Sequence, residues 1–289
     1  MMRIGLFLAT NIAVLFVFTI VSSIFGLDRI WYSNTGTSYI SLLVICALFG
    51  FGGSFVSLLM SKTMAKRGMR VDIIENPTNQ TESWLLQTVQ RQAQAAGIAM
   101  PEVGIFPDQS ANAFATGANR NNALVAVSAG LLNKMQREEV EAVLGHEIAH
   151  VANGDMVTMT LLQGVLNTFV LFFSKIVGMI VDKAVFKNDN GPGMGYFLTS
   201  MLAQIVFGVL ASMIISWFSR YREFRADEGG ARFSSRQNMI NALQRLQQEQ
   251  QPPILTEQLN SFGIRPGHKL ASLFSTHPPL ATRIKALKN

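Results

Sequence analysis

Charge is what this chain of 289 residues has least of: Lys, Arg, Asp and Glu make up 15% of it, against roughly 25% in soluble globular domains. The shortage is local. Four stretches, 4–25, 39–60, 157–181 and 196–218, hold a single charge, Lys175, while the remainder is charged about as densely as an ordinary soluble protein. Cysteine is nearly absent as well. The lone Cys46 excludes an intramolecular disulfide and a cysteine-built zinc site, and its place inside the second apolar stretch reads as packing. A long basic stripe is also missing. The formal net charge is +6, but Lys62, Lys66, Arg67 and Arg70 follow the second apolar stretch, and Arg220, Arg222 and Arg225 follow the fourth. Basic flanks beside apolar runs exclude nucleic acid as a partner and point to a lipid bilayer.

Each stretch exceeds the roughly 20 residues a helix needs to cross about 30 Å of hydrocarbon, so four transmembrane helices are expected. The first has too long an apolar run for a signal peptide and no small-x-small site after Phe25, and is expected to stay in place. Asn167, Ser174 and Lys175 interrupt the third. A lysine near the end of a span can snorkel to the headgroups; the alternative is a membrane-dipping or protein-covered helix. The connections 26–37 and 182–195 carry Arg29 alone and Lys183 with Lys187. Their poverty in basic residues places both termini and both long polar segments on the cytoplasmic side of a bacterial inner membrane. Trp31, Tyr32, Tyr196 and Trp217 fall near the expected interfaces. Gly50 with Ser54, and Gly208 with Ser212, offer the spacing of small residues that lets helices approach closely. The expected organisation is two membrane helices in 1–60, half of a cytoplasmic domain in 61–156, a membrane hairpin in 157–218 and the other half of the domain in 219–289.

Within the polar segments, Leu85, Val89 and Ala93 share one face of a helix expected over 82–96, and Gly97 is placed to end it. Strand patterns follow at 103–106, 112–116 and 123–128, the last two separated by the turn-rich 117–122. A further helix is expected over 137–153, where Val140, Val143, Leu144 and Ile148 form a stripe and Glu138 and Glu139 occupy the first turn. It carries His146, Glu147 and His150, an H-E-x-x-H. Two imidazoles four residues apart project from one face and can take two tetrahedral positions on one Zn²⁺ per chain. Glu147 beside them is placed to take a proton from water rather than to bind the metal. Two surface histidines on an amphipathic helix are the alternative, at the expense of half of the four histidines in the chain.

A catalytic zinc needs a third protein ligand and one open position. The extended metzincin pattern requires glycine at 153 and histidine at 156, where Asn153 and Met156 stand, so that subclass is excluded. After the fourth apolar stretch comes Arg222-Glu223-Phe224-Arg225-Ala226-Asp227, whose two carboxylates share a helix face. Glu223 can complete a His₂Glu set, and Asp227 can accept a hydrogen bond from the far ring nitrogen of a ligating histidine, fixing its tautomer.

These features resemble the HtpX-type membrane-integrated zinc metalloproteases, of the same superfamily as the CAAX prenyl proteases. The resemblance covers essentially the whole chain. It rests on the four-span layout, Asn112-Ala113-Phe114-Ala115-Thr116-Gly117, His146-Glu147-Ile148-Ala149-His150, the segment 222–227, and Ser275-Thr276-His277-Pro278-Pro279-Leu280. It implies an α-helical membrane protein with a mainly α, α+β cytoplasmic zincin domain of gluzincin type. It also implies ATP-independent hydrolysis of misfolded or damaged membrane proteins in a Gram-negative inner membrane, within a heat-shock or envelope-stress response. Arg225 departs from the family pattern, many relatives having histidine or an acidic residue there, which bears on the charge around the ligands.

Two assignments stay open. Asn112, Ala113, Phe114 and Ala115 belong either to an edge strand beside the zinc, to which an extended substrate adds through main-chain hydrogen bonds, or to a plain hairpin strand. His277, before the rigid Pro278-Pro279 turn, is a donor to the oxyanion, a fourth ligand that shuts a resting state, or a turn residue bonded to backbone. His268, next to Lys269, reads as an exposed loop residue. Metal-assisted peptide hydrolysis of unfolded or damaged proteins is the leading function. A site-specific processing peptidase and a membrane chaperone or scaffold with structural metal are the alternatives. Oligomeric state is left open.

Overall fold

The computed structural model describes Gly36 and residues 38–188, 191–249 and 275–289. The first expected span (4–25), Trp31, Tyr32 and His268 lie outside the described residues. The elements run α1 (Tyr39–Gly68), β1 (Asp72–Ile73), α2 (Gln80–Ala96), β2 (Glu102–Phe106), β3 (Ala113–Asn119), β4 (Asn122–Ser128), α3 (Ala129–Lys134), α4 (Arg137–Asn153), α5 (Asp155–Ala184), α6 (Met194–Phe233), α7 (Arg236–Glu249) and α8 (Leu280–Lys288). Among the described residues, three helices, α1, α5 and α6, are long and apolar enough to cross a membrane.

The chain divides into two units, one of Met1–Val56 with Thr160–Ile214 and one of Ser57–Met159 with Ile215–Asn289. In the first, Tyr39, Leu42 and Cys46 of α1 pack with Phe172, Ile176 and Met179 of α5 and with Tyr196 of α6. Cys46, 1% exposed, is a packing residue. Gly50 lies where a Cβ would meet Thr168 and the Gly164 carbonyl of α5, and Gly178 of α5 lies equally close to Ser200 and Tyr196 of α6. Small residues thus let α5 pack against both neighbours. That burial explains how α5 tolerates polar groups: Gln163 donates to Asn167 (2.8 Å), and Asn167 donates to the Ser54 hydroxyl (3.4 Å). The expectation for Gly208 fails, since nothing lies within 4 Å of the Cβ it would carry. The packed face of α6 runs instead through Tyr196, Ser200, Ala203 and Ala211, and Gly208 falls off that stripe. Outward faces carry large exposed apolar side chains such as Leu48, Phe49, Leu202 and Ile205, a surface of the kind a bilayer covers.

The second unit is built on a four-stranded sheet in the order β1-β2-β4-β3. β2 and β4 are parallel and the other pairs antiparallel. The strand read at 112–116 extends to Asn119, because the segment read as a turn starts with a bulge. Gly117 has φ +147°, and a Cβ there would run into the Asn122 carbonyl and Ala123, so only glycine lets the strand continue. α2 begins two residues earlier than its apolar pattern suggests, because Asn79 Oδ1 accepts from the Glu82 amide (2.9 Å), a side-chain cap. It ends at Gly97 with φ 66°. The core between sheet and helices contains Leu85, Val89, Val125, Val127, Leu144, Ile148, Met239 and Leu243. On the far side of the sheet, Phe106 and Phe114 pack with centroids 5.4 Å apart.

Candidate metal centre

α4 occupies the residues its pattern assigns to it. Glu139 accepts from the Gln136 amide (2.9 Å) at its start, and Gly154, with φ 66°, ends it, the left-handed turn that glycine adopts without a Cβ penalty. Asp155 therefore opens α5 immediately after the bend. α6 crosses α4 at close range because both are glycine-lined there: a Cβ on Gly145 would stand 3.2 Å from Gly230 Cα, and one on Gly230 would stand 3.0 Å from the Ala142 carbonyl. This approach brings Glu223 and Asp227, in the charged turns beyond the apolar run of α6, against the histidines of α4.

His146 Nε2 and His150 Nε2 are 3.2 Å apart. Glu223 Oε1 lies 3.4 Å from His150 Nε2, and Glu223 Oε2 lies 3.6 Å from His146 Nε2. Donor atoms bound about 2.0–2.1 Å from a tetrahedral ion stand about 3.3 Å from one another, so the three side chains are spaced to hold one metal ion. The other ring nitrogens fix the tautomers. His146 Nδ1 lies 3.0 Å from Asp227 Oδ1, and His150 Nδ1 lies 2.7 Å from Asp155 Oδ2. With Nδ1 of each ring turned to its carboxylate, both Nε2 atoms are directed at each other and at the Glu223 carboxylate. Glu223 is 2% exposed, and its Oε2 has no partner at hydrogen-bonding geometry among the described residues, although His277 Nδ1 (2.8 Å) and Arg283 Nη1 (3.3 Å) approach it. Two Nε2 atoms and a buried carboxylate oxygen directed at one another call for positive charge between them, a proton or a metal ion.

The electrostatics agree. Burial opposes a charge on His150, but the Asp155 and Glu223 carboxylates outweigh it and push its pKa up to about 9. Burial would raise the Glu223 carboxyl, yet His150, His277 and His146 hold it well below the usual carboxylate range. The centre opens onto a cleft of about 860 Å³ lined by Asn112, Ala113, His146, Glu147, His277 and Arg283 among others.

Glu147 faces this cleft beside the candidate ligands, His277 reaches Glu223 from the Ser275–Pro279 turn, and Asp227 reaches His146. Of the strand residues, Asn112 and Ala113 line the cleft, whereas the Phe114 ring turns to the opposite face against Phe106. Ala113 and Ala115 pack toward the core beneath α4. β3 is the sheet edge nearest the centre. Arg225 lines a separate depression with Glu228 and Arg232, so its departure from the family pattern leaves the groups touching the histidines unchanged.

Sequence reasoning gives two residues here no role, although it notes Arg283 about one and a half turns after the Pro278-Pro279 turn. Arg283, 6% exposed, grips Asp227 with two nitrogens, Nε to Oδ2 at 2.8 Å and Nη2 to Oδ1 at 2.5 Å, the two-pronged geometry that only arginine offers. Asp155, 4% exposed, serves His150 as Asp227 serves His146. No motif spacing marks an acidic residue five positions after His150, because its role comes from the bend at Gly154.

Comparison with known proteins places this geometry. Peptidase family M48 matches residues 79–289. The chain is similar over its full length to Protease HtpX of Thioalkalivibrio sulfidiphilus, 57% identical over 100% of this chain and 99% of that protein. The same figures hold for Protease HtpX of Pseudoalteromonas atlantica, and a Protease HtpX homolog of Nitrosomonas eutropha is 54% identical over all of both chains. Its fold is similar to that of Ste24p from S. mikatae, with a TM-score of 0.58 and 19% identity over 99% of this chain, which spans 65% of that structure. With the family matched across the whole candidate centre and relatives matched end to end, the chain belongs to peptidase family M48.

Proposed function

We propose that this chain is a membrane-bound, zinc-dependent endopeptidase that hydrolyses misfolded or damaged membrane proteins in the quality control of a bacterial inner membrane. The observation that supports it most is the 3.2–3.6 Å spacing of His146 Nε2, His150 Nε2 and the Glu223 carboxylate. Zinc held there would polarise the scissile carbonyl and acidify water. Glu147 takes the water proton and delivers it to the leaving amine. His277 donates to the oxyanion, and Asp227 holds His146 in its ligating tautomer. An extended substrate adds to β3 through main-chain hydrogen bonds, which reads few side chains and suits varied unfolded substrates. Both termini and the peptidase unit are cytoplasmic, and the apolar stretch 4–25 of the sequence supplies a fourth span.

The direct experiment incubates detergent-purified protein, with and without added zinc, with an unfolded polypeptide and maps cut sites by mass spectrometry. Scattered, zinc-dependent cuts are expected. One fixed cut site would favour a site-specific processing peptidase, and zinc binding without cleavage would favour a scaffold. For topology, a reporter active only in the cytoplasm works when fused after Arg70 or at Asn289 and fails after Tyr32; the reverse pattern inverts the orientation.

A further inference from the structure

The two candidate histidine ligands are braced by different parts of the chain. His146 has Asp227, itself clamped by Arg283. His150 has Asp155, the first residue of α5, and the guanidinium of Arg222 on α6 stands 3.7 Å from the same Asp155 oxygen. Arg222 also donates to the Ser219 hydroxyl (3.2 Å), which ties it to its own helix. Asp155 and Arg222 are 5% and 13% exposed at their side chains. Neither belongs to the H-E-x-x-H or to the E-x-x-x-D pair.

We propose that Asp155 is a positioning residue for the metal centre, which with Arg222 behind it holds His150 in ligating orientation. This rests on the reading of His146, His150 and Glu223 as zinc ligands. A carboxylate accepting from Nδ1–H fixes the ring so that the Nε2 lone pair points at the ion, and raises the basicity of that nitrogen. Asp155 can do this only because Gly154 turns the chain between α4 and α5, bringing a residue five positions after His150 back to its ring. Arg222, one residue before Glu223, keeps Asp155 in place without itself reaching the ligands at hydrogen-bonding distance. The opening turn of α5 and the charged turn of α6 thus act together on one histidine.

The test uses full-length protein in detergent carrying Glu147→Gln, which removes self-cleavage while keeping the ligands. Zinc affinity is measured by competition with a chromophoric chelator, and the visible spectrum of the cobalt-substituted protein reports ligand geometry. Asp155→Ala weakens zinc about 10–100-fold and alters the cobalt spectrum. Asp155→Asn, whose amide oxygen still accepts from Nδ1–H, falls between Ala and the parent. Asp155→Ser separates positioning from helix capping, since serine suits a helix start but is too short to replace the carboxylate. Affinity stays low in Ser if Asp155 positions His150, and parental affinity in Ser overturns the proposal. Parental affinity and an unchanged cobalt spectrum in Asp155→Ala overturn it equally, and should that variant fail to fold, the Asn and Ser variants decide. Arg222→Met weakens zinc less than Asp155→Ala and adds nothing in the double variant; additive losses overturn the coupling through Asp155. A parent that binds no zinc defeats the peptidase reading itself, an outcome separate from all of these.

Discussion

The buried hydroxyls of the helical unit and the buried charges around the candidate metal centre are satisfied in different ways. In the helical unit, buried hydroxyls turn back on their own helix: Ser54 donates to the Gly50 carbonyl at 2.9 Å, Thr168 to Gly164 at 2.8 Å and Ser174 to Val170 at 2.5 Å. Each donates within one turn, Ser54 also accepting from Asn167 across to α5, and its loss leaves no charge behind. In the other unit, Glu223, Asp227, Asp155 and Arg283 are as deeply buried, but their partners lie on other elements, Arg283 and Asp227 being 56 residues apart in the chain. The first arrangement is local and replaceable. The second is collective: each charge is tolerable only while its neighbours are present. Substitutions should therefore differ sharply in cost between the two units.

The largest effects are expected at the candidate metal centre. Glu147→Gln is expected to lower kcat by about 10²–10⁴-fold with zinc content unchanged, whereas Glu223→Ala loses both zinc and cleavage, having only two protein ligands left. Zinc analysis of the purified variants separates them, and stoichiometric zinc with activity in Glu223→Ala would place the third ligand elsewhere. His277→Ala is expected to lower kcat by about 10²–10³-fold with zinc retained. Faster turnover in that variant would instead mark His277 as an inhibitory ligand, and unchanged turnover as a turn residue.

Arg283 comes next, and its effect is on stability. Burial works against its charge, but Asp227 and Glu223 more than offset this and raise its pKa. Arg283→Met strands two buried carboxylates, and removing one partner from such a group costs about 3–5 kcal/mol. Denaturation of the metal-free protein in detergent should show the loss, and added zinc should recover part of it, since a dication restores positive charge beside Glu223. An unchanged midpoint in the metal-free variant would mean that the cluster is solvated.

How far the sequence carries can be judged residue by residue. α4 was legible over its whole length because its signals are local: acidic first turn, apolar stripe, glycine stop. The same locality made His146, Glu147 and His150 readable as a set, and the shared helix face made Glu223 and Asp227 readable as a pair. β3 was cut short because Gly117 looks the same in a turn and in a bulge; only the partner strand distinguishes them. Asp155 and Arg283 were given no role because their roles come from a bend at Gly154 and from the docking of α8, neither of which leaves a spacing to count. Gly208 and Ser212 had the right spacing but lie off the face of α6 that packs, which shows that a spacing rule without a known face predicts little.

The smallest effect tests the comparison from the other side. Ser174 is fully buried in α5, and a buried polar group inside an apolar helix is ordinarily read as functional or as a bridge between helices. Its hydroxyl donates to the carbonyl of Val170 on its own helix, a carbonyl that also receives the backbone bond of the helix. Alanine in its place removes one acceptor bond of two and orphans no donor, and polar contacts within membrane helices average about 0.6 kcal/mol. Ser174→Ala is therefore expected to change thermal stability in detergent by less than about 1 kcal/mol and to leave zinc content and cleavage unaltered. Gly178→Val, four residues along the same helix and in contact with Ser200 and Tyr196, is the control that must be costly, since its side chain has nowhere to go. If Ser174→Ala proved as damaging as Gly178→Val, the Ser174 hydroxyl would be acting across helices, and the contrast with the buried charges around the candidate metal centre would fall.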